Sequence, residues 1–134
     1  MRPAQPEGGP LPGAGELPGA VRASSAAPGA APRPFCVYLH VPYCRVRCGY
    51  CDFNTYTNLD MGPGASAGDF VDTLAGELAL AAAAMDRAGL PRRRARTVFL
   101  GGGTPTVLPA DDLVRMLDLV RRTWGLAPGA EVTT

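Results

Sequence analysis

The chain has 134 residues, with 13 Arg against 12 acidic groups, one His, no Lys and a formal charge of +1. That near-balance removes the general electrostatic case for nucleic-acid binding, which needs a clearly basic face, and the length allows one domain or part of one. The most apolar stretch, Leu74 to Met85, is interrupted by Glu77 and falls short of the roughly 20 residues a spanning helix needs, so no integral membrane span is expected.

Residues 1 to 34 carry 8 of the 14 Pro and 6 of the 17 Gly, and their only sizeable aliphatic side chains are Leu11, Leu17 and Val21. Such a segment buries too little apolar surface to offset its ordering entropy, and it reads as a disordered tail. Prolines break every apolar block of the about 7 to 15 residues that a signal peptide needs, so a cytoplasmic location is expected. Thiols stay reduced there, which directs clustered Cys toward a metal or redox centre before disulfides.

From Phe35 to Val41 the residues Phe35, Val37, Leu39 and Val41 share one parity, with Cys36, Tyr38 and His40 on the other, which is the period of a strand. Pro42 ends it, and a loop rich in Cys, Gly, Asn and Thr follows as far as Gly68. Asp69 then opens a helical pattern with Phe70, Leu74, Leu78, Ala82 and Met85 on one stripe, stopped by Gly89 and Pro91. Thr97 to Leu100 reads as a second strand that runs into Gly101-Gly102-Gly103. Asp111 or Asp112 opens another helix, with Leu113, Met116, Leu117, Val120 and Trp124 on one face and Gly125 closing it. Val132 to Thr134 begins a third strand. Strands joined by helical crossovers are parallel, and such sheets come buried on both faces. Two and a half β/α units are too few to close a barrel, for which eight units take about 250 residues, and too few to cover both faces of the sheet. Residues 35–134 therefore read as the N-terminal part of a larger α/β core.

Three cysteines, Cys44, Cys48 and Cys51, lie in the loop after the first strand, spaced x3 and x2. Thiolates are the ligands that iron-sulfur and zinc sites select. Three of them leave one iron of a [4Fe-4S] cluster open to another molecule. Zinc is the alternative; its structural sites take four ligands, and His40, four residues before Cys44, is the candidate fourth. Cys36 reads as a small buried thiol on a core strand. Gly101-Gly102-Gly103-Thr104-Pro105 follows a strand and precedes a helix, a place where glycines let a polar ligand reach the backbone. No Gly-Lys-Ser/Thr follows and the third glycine of the dinucleotide fingerprint is absent, so neither nucleotide motif applies. Both loops leave parallel strands on the same side, and one shared pocket is expected.

The run Tyr-x-His-x-Pro-x-Cys-x3-Cys-x-Tyr-Cys-Asp-Phe, followed by Gly-Gly-Gly-Thr-Pro-Thr, resembles the radical S-adenosylmethionine (SAM) superfamily. Within it the chain is similar to the oxygen-independent coproporphyrinogen III oxidase-like family, and Cys-Asp-Phe-Asn matches its HemW-type heme chaperone branch. The resemblance implies an α/β fold, the N-terminal part of a partial (β/α)6 TIM-like barrel. It implies that Cys44, Cys48 and Cys51 hold a [4Fe-4S] cluster whose free iron chelates SAM, which is cleaved reductively to a 5'-deoxyadenosyl radical. It places Tyr38 and Tyr50 against SAM, with Tyr50 beside the adenine, and Gly102, Gly103 and Thr104 against the methionine part. Heme or a porphyrinogen, and an electron donor such as a flavodoxin or ferredoxin, are the further partners implied. Two departures bear on the branch. The dehydrogenases of the family carry another Cys two residues after the last ligand, where this chain has Phe53. The family's SAM-contacting acid on the third strand falls just beyond Thr134, so the sequence reads as a fragment whose substrate-side segments lie further on.

Overall fold

The computed structural model describes residues 33–134. The tail expected over residues 1 to 34 lies, but for its last two residues, outside the described residues. Three strands, β1 (Phe35–Val41), β2 (Ala95–Gly102) and β3 (Leu126–Thr133), alternate with two helices, α1 (Phe70–Arg87) and α2 (Ala110–Thr123), and a short 3-10 turn at Pro105–Val107 precedes α2. The sheet order is β1-β2-β3 with every pair parallel, so this is the α/β arrangement that the alternation of periods predicts.

The parity of β1 decides the layering. Val37, Leu39 and Val41 turn to one face, where they meet Val98 and Leu100 of β2, Val71, Leu74 and Leu78 of α1, and Met116 and Val120 of α2. Met116, Val41, Val98 and Val120 are the largest side chains fully withdrawn from solvent. Arg115 of α2 reaches Asp72 of α1 at 2.6 Å and ties the two helices at their outer surface.

The opposite face is open, as two and a half β/α units lead one to expect. Cys36, Tyr38 and Phe99 are exposed there, because both helices stand on the same side of the sheet. Cys36 is accordingly not the buried core thiol its strand position suggested. The register sets Cys36 beside Thr97, Tyr38 beside Phe99, His40 beside Gly101 and Val41 beside Gly102, so the open face and the loops at the C-terminal strand ends form one continuous surface.

Helix ends follow the glycines. Gly89 takes φ +68° after α1; its N–H donates to the Asp86 carbonyl and the Leu90 N–H to the Met85 carbonyl, both at 3.0–3.1 Å, the paired bonds of a Schellman cap. Asp69 precedes α1, but its carboxylate accepts the Gly64 N–H at 3.0 Å in place of capping the helix. β2 is longer than its apolar run, since Gly101 and Gly102 keep pairing with β1. β3 starts six residues earlier than Val132: Leu126 pairs with Ala95 directly after Gly125, and Pro128 and Gly129 then bulge out before Glu131 resumes beside Thr97. Pro and Gly in that bulge hide the strand from a reading of periodicity.

Candidate functional site

The cysteine loop is cinched at its base. The Tyr56 N–H donates to the Pro42 carbonyl at 2.7 Å and the Cys44 N–H to the Tyr56 carbonyl at 2.9 Å, so the chain that leaves β1 is clasped to the chain returning from the loop. Tyr43 anchors this clasp: its hydroxyl donates to the Ala65 carbonyl at 2.9 Å and its ring meets Phe70 edge-on. Burial pushes the Tyr43 phenol up from its ordinary pKa, and the nearby Asp69 carboxylate adds to the rise.

Within the loop, Cys44 is buried at the base, Cys51 is half-buried and Cys48 is exposed at the tip. The Cys51 N–H donates to the Cys48 carbonyl at 3.1 Å, which closes a turn between these two residues. Hydroxyls approach two of the sulfurs: Thr104 Oγ1 lies 3.7 Å from Cys44 Sγ and Thr55 Oγ1 lies 3.9 Å from Cys51 Sγ. Among the described residues no three His, Cys, Asp or Glu side chains gather closely enough to hold a metal ion, so the sulfurs share a loop without converging.

The glycine loop lies directly on this base. The Gly103 N–H donates to the Val41 carbonyl at 2.7 Å and the Thr104 N–H to the Tyr43 carbonyl at 2.8 Å. Each glycine of the triplet makes room for something different. A Cβ at Gly101 would sit 2.9 Å from the rings of Phe99 and Tyr38; one at Gly102, where φ is +106°, would sit 2.7 Å from the His40 ring; one at Gly103 would sit 2.5 Å from the Tyr43 carbonyl oxygen and 2.9 Å from Cys44 Sγ. Real Cβ atoms do not approach that closely, so only glycine lets the loop close over the cysteines. By contrast, a Cβ at Gly49, between Cys48 and Cys51, would meet nothing within 4 Å.

His40 spans the same junction. Its Nε2 lies 2.9 Å from the Asn54 carbonyl, an acceptor only, so Nε2 carries the proton. In the neutral ring Nδ1 then accepts, and the Tyr38 hydroxyl donates to it at 2.9 Å. Tyr38 is therefore held on the open face, its ring against Phe99 at 5.6 Å. Of the residues singled out from sequence, Tyr38, Gly102, Gly103, Thr104 and Cys44 come together around the strand ends. Tyr50 projects from the loop tip, 89% exposed. Sequence reasoning missed Tyr43 and Thr55 as parts of this junction. Tyr43 could be suspected as an apolar residue just past a strand's proline; nothing local marks Thr55.

No protein-family model matches the chain. The heme chaperone HemW of Mycobacterium tuberculosis (strain H37Rv) is 50% identical over 110 residues, covering 80% of this chain and 27% of the relative. Escherichia coli K12 HemW is 36% identical over 100 residues, 75% of this chain and 24% of that one. Anaerobilin synthase of Escherichia coli O157:H7 is 36% identical over 104 residues, 78% and 22% of the two chains. The chain thus spans about a quarter of the length of the curated relatives it matches. Among solved structures, the coproporphyrinogen III oxidase HemN from Escherichia coli, a radical SAM enzyme, superposes with a TM-score of 0.60 at 27% identity, over 75% of this chain and 21% of that one. Sequence and fold agree that the chain belongs to the radical SAM coproporphyrinogen III oxidase-like family that includes the HemW heme chaperones.

Proposed function

We propose that this chain supplies the cluster-and-SAM half of a HemW-type protein of heme metabolism, with Cys44, Cys48 and Cys51 as the three protein ligands of a [4Fe-4S] cluster. The observation that carries the reading is the seating of the glycine loop on the cysteine loop: the Thr104 N–H on the Tyr43 carbonyl and the Thr104 hydroxyl beside Cys44 Sγ. A thiolate site and a backbone-lined ligand site then share one wall. When bound, such a cluster offers SAM an open iron and the electron for its reductive cleavage.

The residues divide the remaining work. The Gly103 and Thr104 N–H groups are spent on the Val41 and Tyr43 carbonyls. What Gly102, Gly103 and Thr104 turn toward a ligand is therefore carbonyl and hydroxyl oxygen, acceptors suited to the ammonium of SAM. Tyr38 presents its ring on the open face of the sheet, and this reading assigns Tyr50, exposed at the loop tip, to the adenine. Heme, and a low-potential donor of the flavodoxin or ferredoxin kind, are the partners this reading requires of the whole protein. It also requires a reducing, cytoplasmic setting for the four free cysteines. No helix among the described residues is long and apolar enough to cross a membrane.

The donor set fits iron-sulfur better than a Cys3His zinc module. His40, the fourth ligand zinc would need, has both ring nitrogens engaged, by Tyr38 and by Asn54. Phe53 in place of a fourth loop cysteine, together with 50% identity to a HemW, favours the chaperone branch over porphyrinogen decarboxylation.

Anaerobic reconstitution with iron and sulfide tests the assignment. The parent is expected to take up about four irons per chain with broad visible absorption, and Cys48→Ala to lose that uptake. Cys48 is exposed, so the substitution removes a ligand and no core packing. A Cys48→Ala protein that loads as much iron and sulfide as its parent, or a colourless parent holding one zinc, sinks the reading.

A further inference from the structure

Among the described residues Thr55 is the one buried polar or charged side chain, 6% exposed. Its hydroxyl faces Cys51 Sγ at 3.9 Å, and no hydrogen bond among the described residues gives it another partner. A buried hydroxyl left without a partner is destabilising, and the Cys51 sulfur is the partner within reach among the described residues. The backbone beside it is fixed: the next residue, Tyr56, is held by its N–H on the Pro42 carbonyl, by its own carbonyl accepting from Cys44, and by the parallel bridge to Tyr43. The hydroxyl therefore arrives beside Cys51 from the fixed side of the loop, while Cys48 at the exposed tip has no such donor among the described residues.

We propose that Thr55 is a positioning residue for the cluster: its O–H donates to the Cys51 thiolate, holds that sulfur at the loop base and raises the reduction potential of the bound cluster. The proposal rests on the cluster reading above. A donor to a ligand sulfur stabilises the reduced state more than the oxidised one, because the added electron increases the negative charge on the sulfur. The step concerned is a one-electron reduction by a low-potential donor, in which no covalent bond or proton changes hands at Thr55.

The test uses the full chain, reconstituted anaerobically with iron and sulfide, in three forms: parent, Thr55→Val and Thr55→Ser. Valine keeps the shape and removes the donor; serine keeps the donor. Iron and sulfide are counted, and the midpoint potential is read by electron paramagnetic resonance in a dye-mediated titration. The expected result is equal cluster content in all three, a midpoint shifted to more negative potential in Thr55→Val, and a return toward the parent value in Thr55→Ser. Equal midpoints for parent and Thr55→Val overturn the proposal, as does loss of the cluster from both variants, which would make Thr55 a packing residue alone. A parent that loads no cluster overturns the cluster reading itself and this proposal with it.

Discussion

Gly103→Ala tests the junction between the two loops. A methyl group there would lie 2.5 Å from the Tyr43 carbonyl oxygen and 3.0 Å from its carbon, with Cys44 Sγ at 2.9 Å. The oxygen is backbone and already accepts the Thr104 N–H at 2.8 Å, so it cannot swing aside as a flexible side chain would. Overpacking of this kind costs about 1–3 kcal/mol. Relief comes by lifting the glycine loop off Tyr43, which uncovers Cys44. If the whole cost falls on this local opening, the opened fraction rises about 5- to 150-fold. The assay is the rate of thiol labelling in cluster-free protein kept under reducing, anaerobic conditions until reagent is added. Cys44 is buried while Cys36 and Cys48 are exposed, so the last two serve as internal references. Cys44 should label faster by that factor, the references should not change, and Gly49→Ala, whose methyl meets nothing, should leave Cys44 at the parent rate. Unaltered protection of Cys44 in Gly103→Ala would refute the steric argument. Equal acceleration at Cys36 and Cys44 would show global unfolding in place of a local clash.

Gly89→Ala is expected to cost about 1 kcal/mol, all of it from holding alanine at positive φ, since its methyl would meet no atom within 4 Å; thermal unfolding should fall by roughly 4–8 °C, and an unchanged midpoint would mean that the cap re-forms without a left-handed residue. Tyr43 governs the alkaline limb of stability: its folded pKa is raised by burial above the ordinary 10.0, so the neutral phenol's contribution is complete below that value and is lost as pH rises through the folded one. Urea midpoints followed upward from pH 9 should therefore decline in the parent and decline less in Tyr43→Phe, whose lower starting stability reflects the missing bond to Ala65; parallel curves would contradict the assignment.

Much of this arrangement was legible because two physical rules act locally. The parity of Phe35 to Val41 fixes which side chains enter the core and which stand on the open face, and the 3.6-residue stripe of Leu74 and Leu78 fixes the face α1 turns inward. Glycines at positive φ mark where both helices end. What escaped the sequence depends on contacts between segments far apart. The unit count already argues for an uncovered face, but which parity of β1 stands on it depends on where both helices lie, which no period encodes, and so Cys36 was misplaced. The early start of β3 is masked by Pro128 and Gly129, residues that usually argue against a strand and here form a bulge. Thr55 is one of several threonines in a polar loop until the clasp between Tyr56 and Pro42 fixes it against Cys51.

The glycine triplet shows how one motif can serve two demands. From sequence, small residues after a strand suggest room for a ligand. In the structure the space at all three positions is occupied by the chain itself: the Tyr38 and Phe99 rings, the His40 ring, and the Tyr43 backbone with Cys44 Sγ. The triplet thus serves first to bring β2 against the cysteine loop, and a ligand would gain from it the acceptor oxygens left over once the N–H groups are used. His40 follows the same logic. Its spacing from Cys44 left it open as a fourth metal ligand, yet its ring sits over Gly102 and bridges Tyr38 to Asn54, so ligation through either nitrogen would break one of those hydrogen bonds. With that ring engaged in the chain's own hydrogen bonds, the three thiols are the soft donors that the loop has to offer among the described residues, which is the donor set the proposed cluster reading calls for.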